Sequence, residues 1–322
     1  MSSQQTAPNA IDISIENLRE EDLVEADHIF RLAFGTFMGL PDPAQVHAGA
    51  DYIGTRWRAN PGAAFAATIQ GKLVGTNFGT NWGSVGFFGP LTIHPAYWDR
   101  GIGKRLMEPI MGLFSQWHTT HAGLFTFAQS QKHVGLYQRF GFWPRFLTAI
   151  MSLPVKQTKG SSVQLFSALP NEQREETLQA CYDLTTQIYD GLNVRHEIVA
   201  VENQKLGETL LVWNDSKLAA LAVCHCGQGS EAGPDTCYVK FGAVRPGATA
   251  AEDFTRLLAA CESLAAARGL SKLVAGVNIA RLEAYQQMMA LGFRTDFQGI
   301  AMHQDQAPGY NRRDVYLIDD WR

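Results

Sequence analysis

Residues Gly89–Leu106, GPLTIHPAYWDRGIGKRL, read as a buried strand, a proline stop, a short loop and a Gly-rich turn that opens a helix. Phe87, Phe88, Leu91 and Ile93 form the apolar strand, and Pro95 ends it because proline cannot donate to a ladder. After Gly101 the apolar residues fall at Ile102, Leu106, Ile110, Phe114 and Trp117, the spacing of one helical face. Gly101 and Gly103 stand where the first turn begins, so no side chain there shields its free N–H groups. Those groups and the positive end of the helix dipole make a site for phosphate oxygens, and Arg100, Lys104 and Arg105 add three cations. A tight loop with a solvated basic helix start is the alternative reading of the Gly-x-Gly taken alone.

The context decides between them. A strand, Ile-His-Pro, and then Arg-Gly-Ile-Gly-Lys at a helix start resembles the coenzyme A pyrophosphate loop of the GNAT superfamily of N-acetyltransferases. Downstream come an apolar strand from Leu124 to Ala128, then Ser130, His133, Leu136 and Tyr137, closing on Gly141-Phe142. This is similar to the family ending N-x-x-A-x-x-L-Y-x-x-x-G-F, with Ser130 in the Asn place and His133 in the Ala place. The family loop is usually (Q/R)-x-x-G-x-(G/A). Trp98 holds its first position here, while the backbone nest is kept. The resemblance spans about residues 12–155.

The chain has 322 residues, enough for two domains that each bury a core. A net charge of −4 argues against broad nucleic-acid binding, which needs a dense positive surface. Five cysteines, all in the second half, are no disulfide framework. In an alternating strand Cys224 and Cys226 face away from His225, poor geometry for a metal chelate, so no metal is expected. The polar N-terminus reads as neither signal peptide nor anchor, and no run approaches a membrane span. A cytoplasmic protein without nucleic-acid or membrane partners is expected.

Along the chain, a loose tail (residues 1–10) precedes a short strand and a helix from Arg19 to Gly35. A second helix is predicted from Asp42 to Trp57, then a hairpin, Ala63–Ile69 and Leu73–Thr80, turning at Gln70-Gly71-Lys72. Residues 156–162 (KQTKGSS) are the linker candidate. The second half repeats the order: strand, helix from Asn171 to Tyr189, hairpin, strand to Val244, helix from Ala250 to Arg268, strand, and two closing strands. Its Val244-Arg245-Pro246 is followed by GATAAEDF, which has no Arg-Gly-x-Gly and puts two carboxylates near the helix start, where they repel a pyrophosphate. The expected fold is α/β (α+β): two tandem GNAT-like domains, each a mixed, mostly antiparallel twisted sheet flanked by helices. Residues 11–155 would bind acetyl-CoA, and 163–322 would be a degenerate copy.

The resemblance implies an acyl-CoA-dependent N-acyltransferase that moves an acetyl group from acetyl-CoA to a small-molecule amine by direct attack. A non-catalytic acyl-CoA-binding or regulatory protein is the alternative. By the same resemblance Leu91, Thr92 and Ile93 receive the acyl carbonyl and pantetheine. Arg100, Gly101, Ile102, Gly103, Lys104 and Arg105 hold the pyrophosphate, and Ser130 bonds the pantetheine arm. Tyr137 protonates the departing sulfur, since a phenol with a pKa near 10 stays protonated at neutral pH. Phe34, Phe37, Trp82, Phe87 and His133 are candidates for the acceptor side; no general base is identified. The second domain either covers the acceptor cleft or forms a homodimer surface.

Overall fold

The computed structural model describes residues 12–156 and 163–322; the expected tail, and the expected linker from residue 157 to 162, lie outside the described residues. The first half runs β1 (Ile13–Asn17), α1 (Leu23–Phe37), α2 (Ile53–Ala59), β2 (Ala64–Ile69), β3 (Lys72–Trp82), β4 (Val85–Phe88), β5 (Thr92–Ile93), α3 (Ile102–Gln116), β6 (His121–Thr126), α4 (Gln131–Gln138) and β7 (Phe142–Pro154). The second runs β8 (Gln164–Leu165), α5 (Asn171–Thr185), α6 (Arg195–Gln204), β9 (Gly207–Asn214), β10 (Lys217–Cys226), β11 (Thr236–Val244), α7 (Ala250–Ala267), β12 (Lys272–Asn278), α8 (Leu282–Ala290), β13 (Arg294–Gln304) and β14 (Leu317–Ile318). The mixed α/β class read from the sequence is the one observed. No described helix is long and apolar enough to cross a membrane.

Local chemistry explains the elements and one correction. Gln70 and Gly71 both take positive φ, 51° and 77°, the turn geometry that matches the twist of the β2–β3 hairpin. The expected helix from Asp42 to Trp57 shrinks to a 3-10 turn at Pro43–Gln45 and to α2. His47 and Gly49 adopt positive φ, and the Arg31 guanidinium takes the carbonyls of Val46, His47 and Ala50. With Arg31 bound to three of its carbonyls and His47 and Gly49 left-handed, the segment folds as a loop over α1.

The strands form one sheet in the order β1-β2-β3-β4-β6-β13-β7-β12-β11-β10-β9-β8, with β5 on β3 and β14 on β11. Its middle is crossed. β7 of the first half lies between β13 and β12 of the second, and β13 lies between β6 and β7. Neither half therefore completes its own sheet.

The junction buries charge as well as apolar surface. Arg56 of α2 makes two bonds to Glu231 (2.9 and 3.0 Å), and Lys240 reaches both Glu231 (2.8 Å) and Glu197 (2.9 Å). Burial alone would raise the Glu231 carboxyl, but Arg56 and Lys240 hold it far below the usual carboxylate range. Two cations and two anions thus compensate each other out of water, and removing any one partner would leave an uncompensated buried charge, the strongly destabilising case.

Three buried histidines make the fold acid-sensitive. Burial pushes His121 down to about 3 and His225 and His303 to about 4. The His121 and His303 rings pack at 4.8 Å in an edge-on contact, so both are held neutral. The unfolded chain binds these protons near pH 6.5 and the native chain only below about 4, so their stabilisation is complete above pH 6.5 and is lost on acidification. Urea unfolding at pH 5 should show about 2 kcal/mol less stability per histidine than at pH 7.5. Equal midpoints at the two pH values would contradict this.

Candidate active site

The sheet splits beside β4. β4 pairs in parallel with β6 only from Val85↔His121 to Phe87↔Gly123; beyond that, β5 stays on β3 while β6 stays on β13. Between the diverging strands opens a cleft of ≈ 880 Å³, lined on one side by Phe88–Ile93 and on the other by Leu124–Phe127. The cleft-side edge of Leu91, Thr92 and Ile93 faces no strand among the described residues. Thr92 is fixed from behind by a 3.0 Å bond to Thr76.

At one end of the cleft stands the start of α3. Gly101 is its N-cap with φ 77°, a left-handed conformation that glycine takes without strain, and no side chain caps the helix. The first N–H groups of a helix have no partner within it. Here Gly101, Ile102, Gly103 and Lys104 all line the cleft. Arg100 stacks over Tyr97 at 5.1 Å and Arg105 pairs with Glu108 at 3.6 Å; both lie outside the lining. Trp98, at the loop's first position, donates its indole N–H to the Ile93 carbonyl (2.7 Å). It ties the loop to β5 instead of offering a polar group to a phosphate.

The opposite wall is α4. Ser130 caps it, its hydroxyl accepting the His133 N–H (3.4 Å) and meeting His133 Nδ1 at 2.9 Å. His133 and Tyr137, one turn apart, both face the cleft. Tyr137 is 6% exposed and sits edge-on against Phe88 at 5.6 Å. Burial raises its phenol further above 10, opposed by a hydrogen bond with Thr126, so it enters the cleft as an O–H donor. Burial and Lys132 lower His133.

The third wall comes from α1. Phe34 and Phe37 both line the cleft; Phe37 packs on Phe127 (5.1 Å) and on His133 (5.2 Å). Trp82 and Phe87 require correction as acceptor candidates. Each is 1% exposed and absent from the lining. Trp82 packs on Phe241 at 5.1 Å and donates to Glu197 at 3.1 Å, while Phe87 stacks on Trp321 at 6.0 Å. Both belong to the core that joins the two halves.

Residues 27–142 match the family model described as "Acetyltransferase (GNAT) family". They form a GNAT acetyltransferase domain. The split between β4 and β6, the α3 start and α4 all lie within or beside this matched stretch. Among curated proteins none matches the chain in sequence.

Solved structures are similar in fold to the whole chain, the GNAT domain and the second half together. A Pyrococcus horikoshii protein assigned as an acetyltransferase is 14% identical with a TM-score of 0.67, over 100% of this chain and 98% of that one. A GCN5-related N-acetyltransferase from Sphaerobacter thermophilus is 13% identical with a TM-score of 0.56, over 94% and 98%. A GNAT-family acetyltransferase from Colwellia psychrerythraea is 14% identical with a TM-score of 0.51, over 90% and 98%. At these identities the likeness concerns the fold.

Residues beyond the expected set also line the GNAT domain's cleft. Phe127 carries no motif of its own, and Tyr52 lies in the stretch expected to be helical. Phe297, Trp321 and Arg322 come from the second half. Gly123 makes room for one of them: a Cβ there would come within 2.1 Å of the Trp321 ring. In the second half the first turn of α7 carries Glu252 and Asp253, and the Asp253 carboxylate takes bonds from the side chains of Thr249 (2.8 Å), Asn214 (3.2 Å) and Arg256 (2.7 Å).

Proposed function

We propose that the chain transfers an acetyl group from acetyl-CoA to the amine of a small molecule, by direct attack in a ternary complex. One observation carries the reading: an unpaired strand edge, a bare helix start and a buried phenol meet in a single cleft of the GNAT domain. The amides of Gly101–Lys104, with Lys104 and the nearby Arg100 and Arg105, would hold the pyrophosphate. The edge of Leu91, Thr92 and Ile93 would align pantetheine and polarise the acyl carbonyl, and Ser130 would contact the arm. The amine nitrogen attacks the carbonyl carbon and the C–S bond breaks. The thiolate takes the Tyr137 proton, the new ammonium releases its proton to water, and water returns a proton to the Tyr137 phenolate. Phe34, Phe37 and His133 would border the acceptor.

On this reading residues 11–155 and 163–322 are tandem domains, and only the first binds coenzyme, because Glu252 and Asp253 put two carboxylates in the first turn of α7, where they repel phosphate. Incubation with acetyl-CoA and a panel of primary amines should release free coenzyme thiol only when an amine is present. Thiol release that no amine accelerates would overturn the proposal.

A further inference from the structure

The acceptor end of the cleft is marked by one cation delivered from the far end of the sequence. Arg322 lines the cleft together with Tyr52 and His47. Its guanidinium lies over the Tyr238 ring at 4.3 Å, and its Nε donates to Asp320 at 3.0 Å. Asp320 in turn accepts from the Tyr238 hydroxyl (2.9 Å) and the Arg322 N–H (3.1 Å). The inner edge of the guanidinium is thus fixed, and its two terminal nitrogens have no partner among the described residues.

The backbone of Arg322 is tied to the acyl-receiving strand. The Arg56 guanidinium donates to the main-chain oxygen of Arg322 and, from its other terminal nitrogen, to the Gly89 carbonyl at 2.6 Å. Gly89 stands two residues before Leu91, so one side chain holds Arg322 beside the proposed acyl site. Glu231 locks that side chain from behind. The walls here are aromatic: Phe30 packs on Tyr52 at 5.4 Å and on Phe34 at 5.0 Å.

Charge selects the class of acceptor. Among the side chains of the described lining residues Asp99 is the one carboxylate, and Lys132 already pairs with it at 2.6 Å. A polycationic amine would find no free side-chain carboxylate among the described lining residues. The Arg322 guanidinium is held by Asp320 through Nε, and its outer edge, with two terminal nitrogens left over, suits a carboxylate in a two-bond fork. We propose that Arg322 is the anion subsite of the acceptor pocket, and that the acceptor is an amine bearing a carboxylate on an aromatic or apolar body. This rests on the acyltransferase reading above.

The test compares matched acceptors that differ only in the carboxylate: phenylalanine with phenethylamine, and 4-(aminomethyl)benzoate with benzylamine. In wild type at least one acid should exceed its uncharged partner in kcat/KM by about 10- to 100-fold, the worth of a charged hydrogen-bonded contact. Arg322→Gln should abolish that ratio, and Arg322→Lys, which keeps the charge and loses the fork, should leave it intermediate. Because the readout is a ratio, general damage to the fold cancels. Calorimetry of the same four compounds on coenzyme-saturated protein reads the preference without turnover. Coenzyme binding with no acid preference, or a ratio unchanged in Arg322→Gln, overturns this inference alone. Absence of coenzyme binding overturns the acyltransferase reading and this inference with it.

Discussion

Tyr137→Phe should lower kcat for amine acetylation about 10²- to 10⁴-fold, the usual contribution of a positioned proton donor, while the acetyl-CoA Kd stays within a factor of two. The substitution removes one oxygen and keeps the ring that packs on Phe88, so folding should be little affected. The phenol is buried, and burial opposes its ionisation. It is therefore protonated when the thiolate forms, and once that oxygen is gone the thiolate must wait for water. Stopped-flow acetyl transfer beside a coenzyme titration separates the two effects. An unchanged kcat would assign Tyr137 to packing alone.

The proposed coenzyme end was legible because its chemistry is local. A helix start, its glycines and its cations occupy consecutive positions, and α4 places Ser130, His133 and Tyr137 on one short element. Phe34 and Phe37 were legible for the same reason, since α1 puts both near one face. What the sequence did not disclose is every feature that depends on a partner far along the chain. Alternation along a strand says which face a residue takes, but not which strand lies beside it. Trp82 and Phe87 therefore stood as candidates for the acceptor side, although Leu192, Phe241 and Trp321 pack around them in the core.

The crossing of β7 and β13 was hidden for the same reason. The two strands are similar in length, 13 and 11 residues, and nothing local in either sequence names its neighbour. Arg322 had no local signal at all: its place depends on Asp320, Tyr238 and Arg56, the last 266 positions away. The loop from Asp42 to Tyr52 misled through composition, because its helix-breaking agent, Arg31, belongs to another element.

The central claim is that the cleft of the first half takes acetyl-CoA with its phosphates on the α3 start. Gly103→Glu tests it with a large expected effect. A Cβ at Gly103 would meet the Leu136 methyl at 3.2 Å, a flexible side chain that can yield. A carboxylate in the first turn of a helix is also compatible with folding. The same carboxylate would stand where the pyrophosphate must lie, and two anions there repel. Calorimetric titration of acetyl-CoA should find one site per chain in wild type and no detectable site in a folded Gly103→Glu variant. Binding that persists in the variant, or a second site on the other half, would contradict the account.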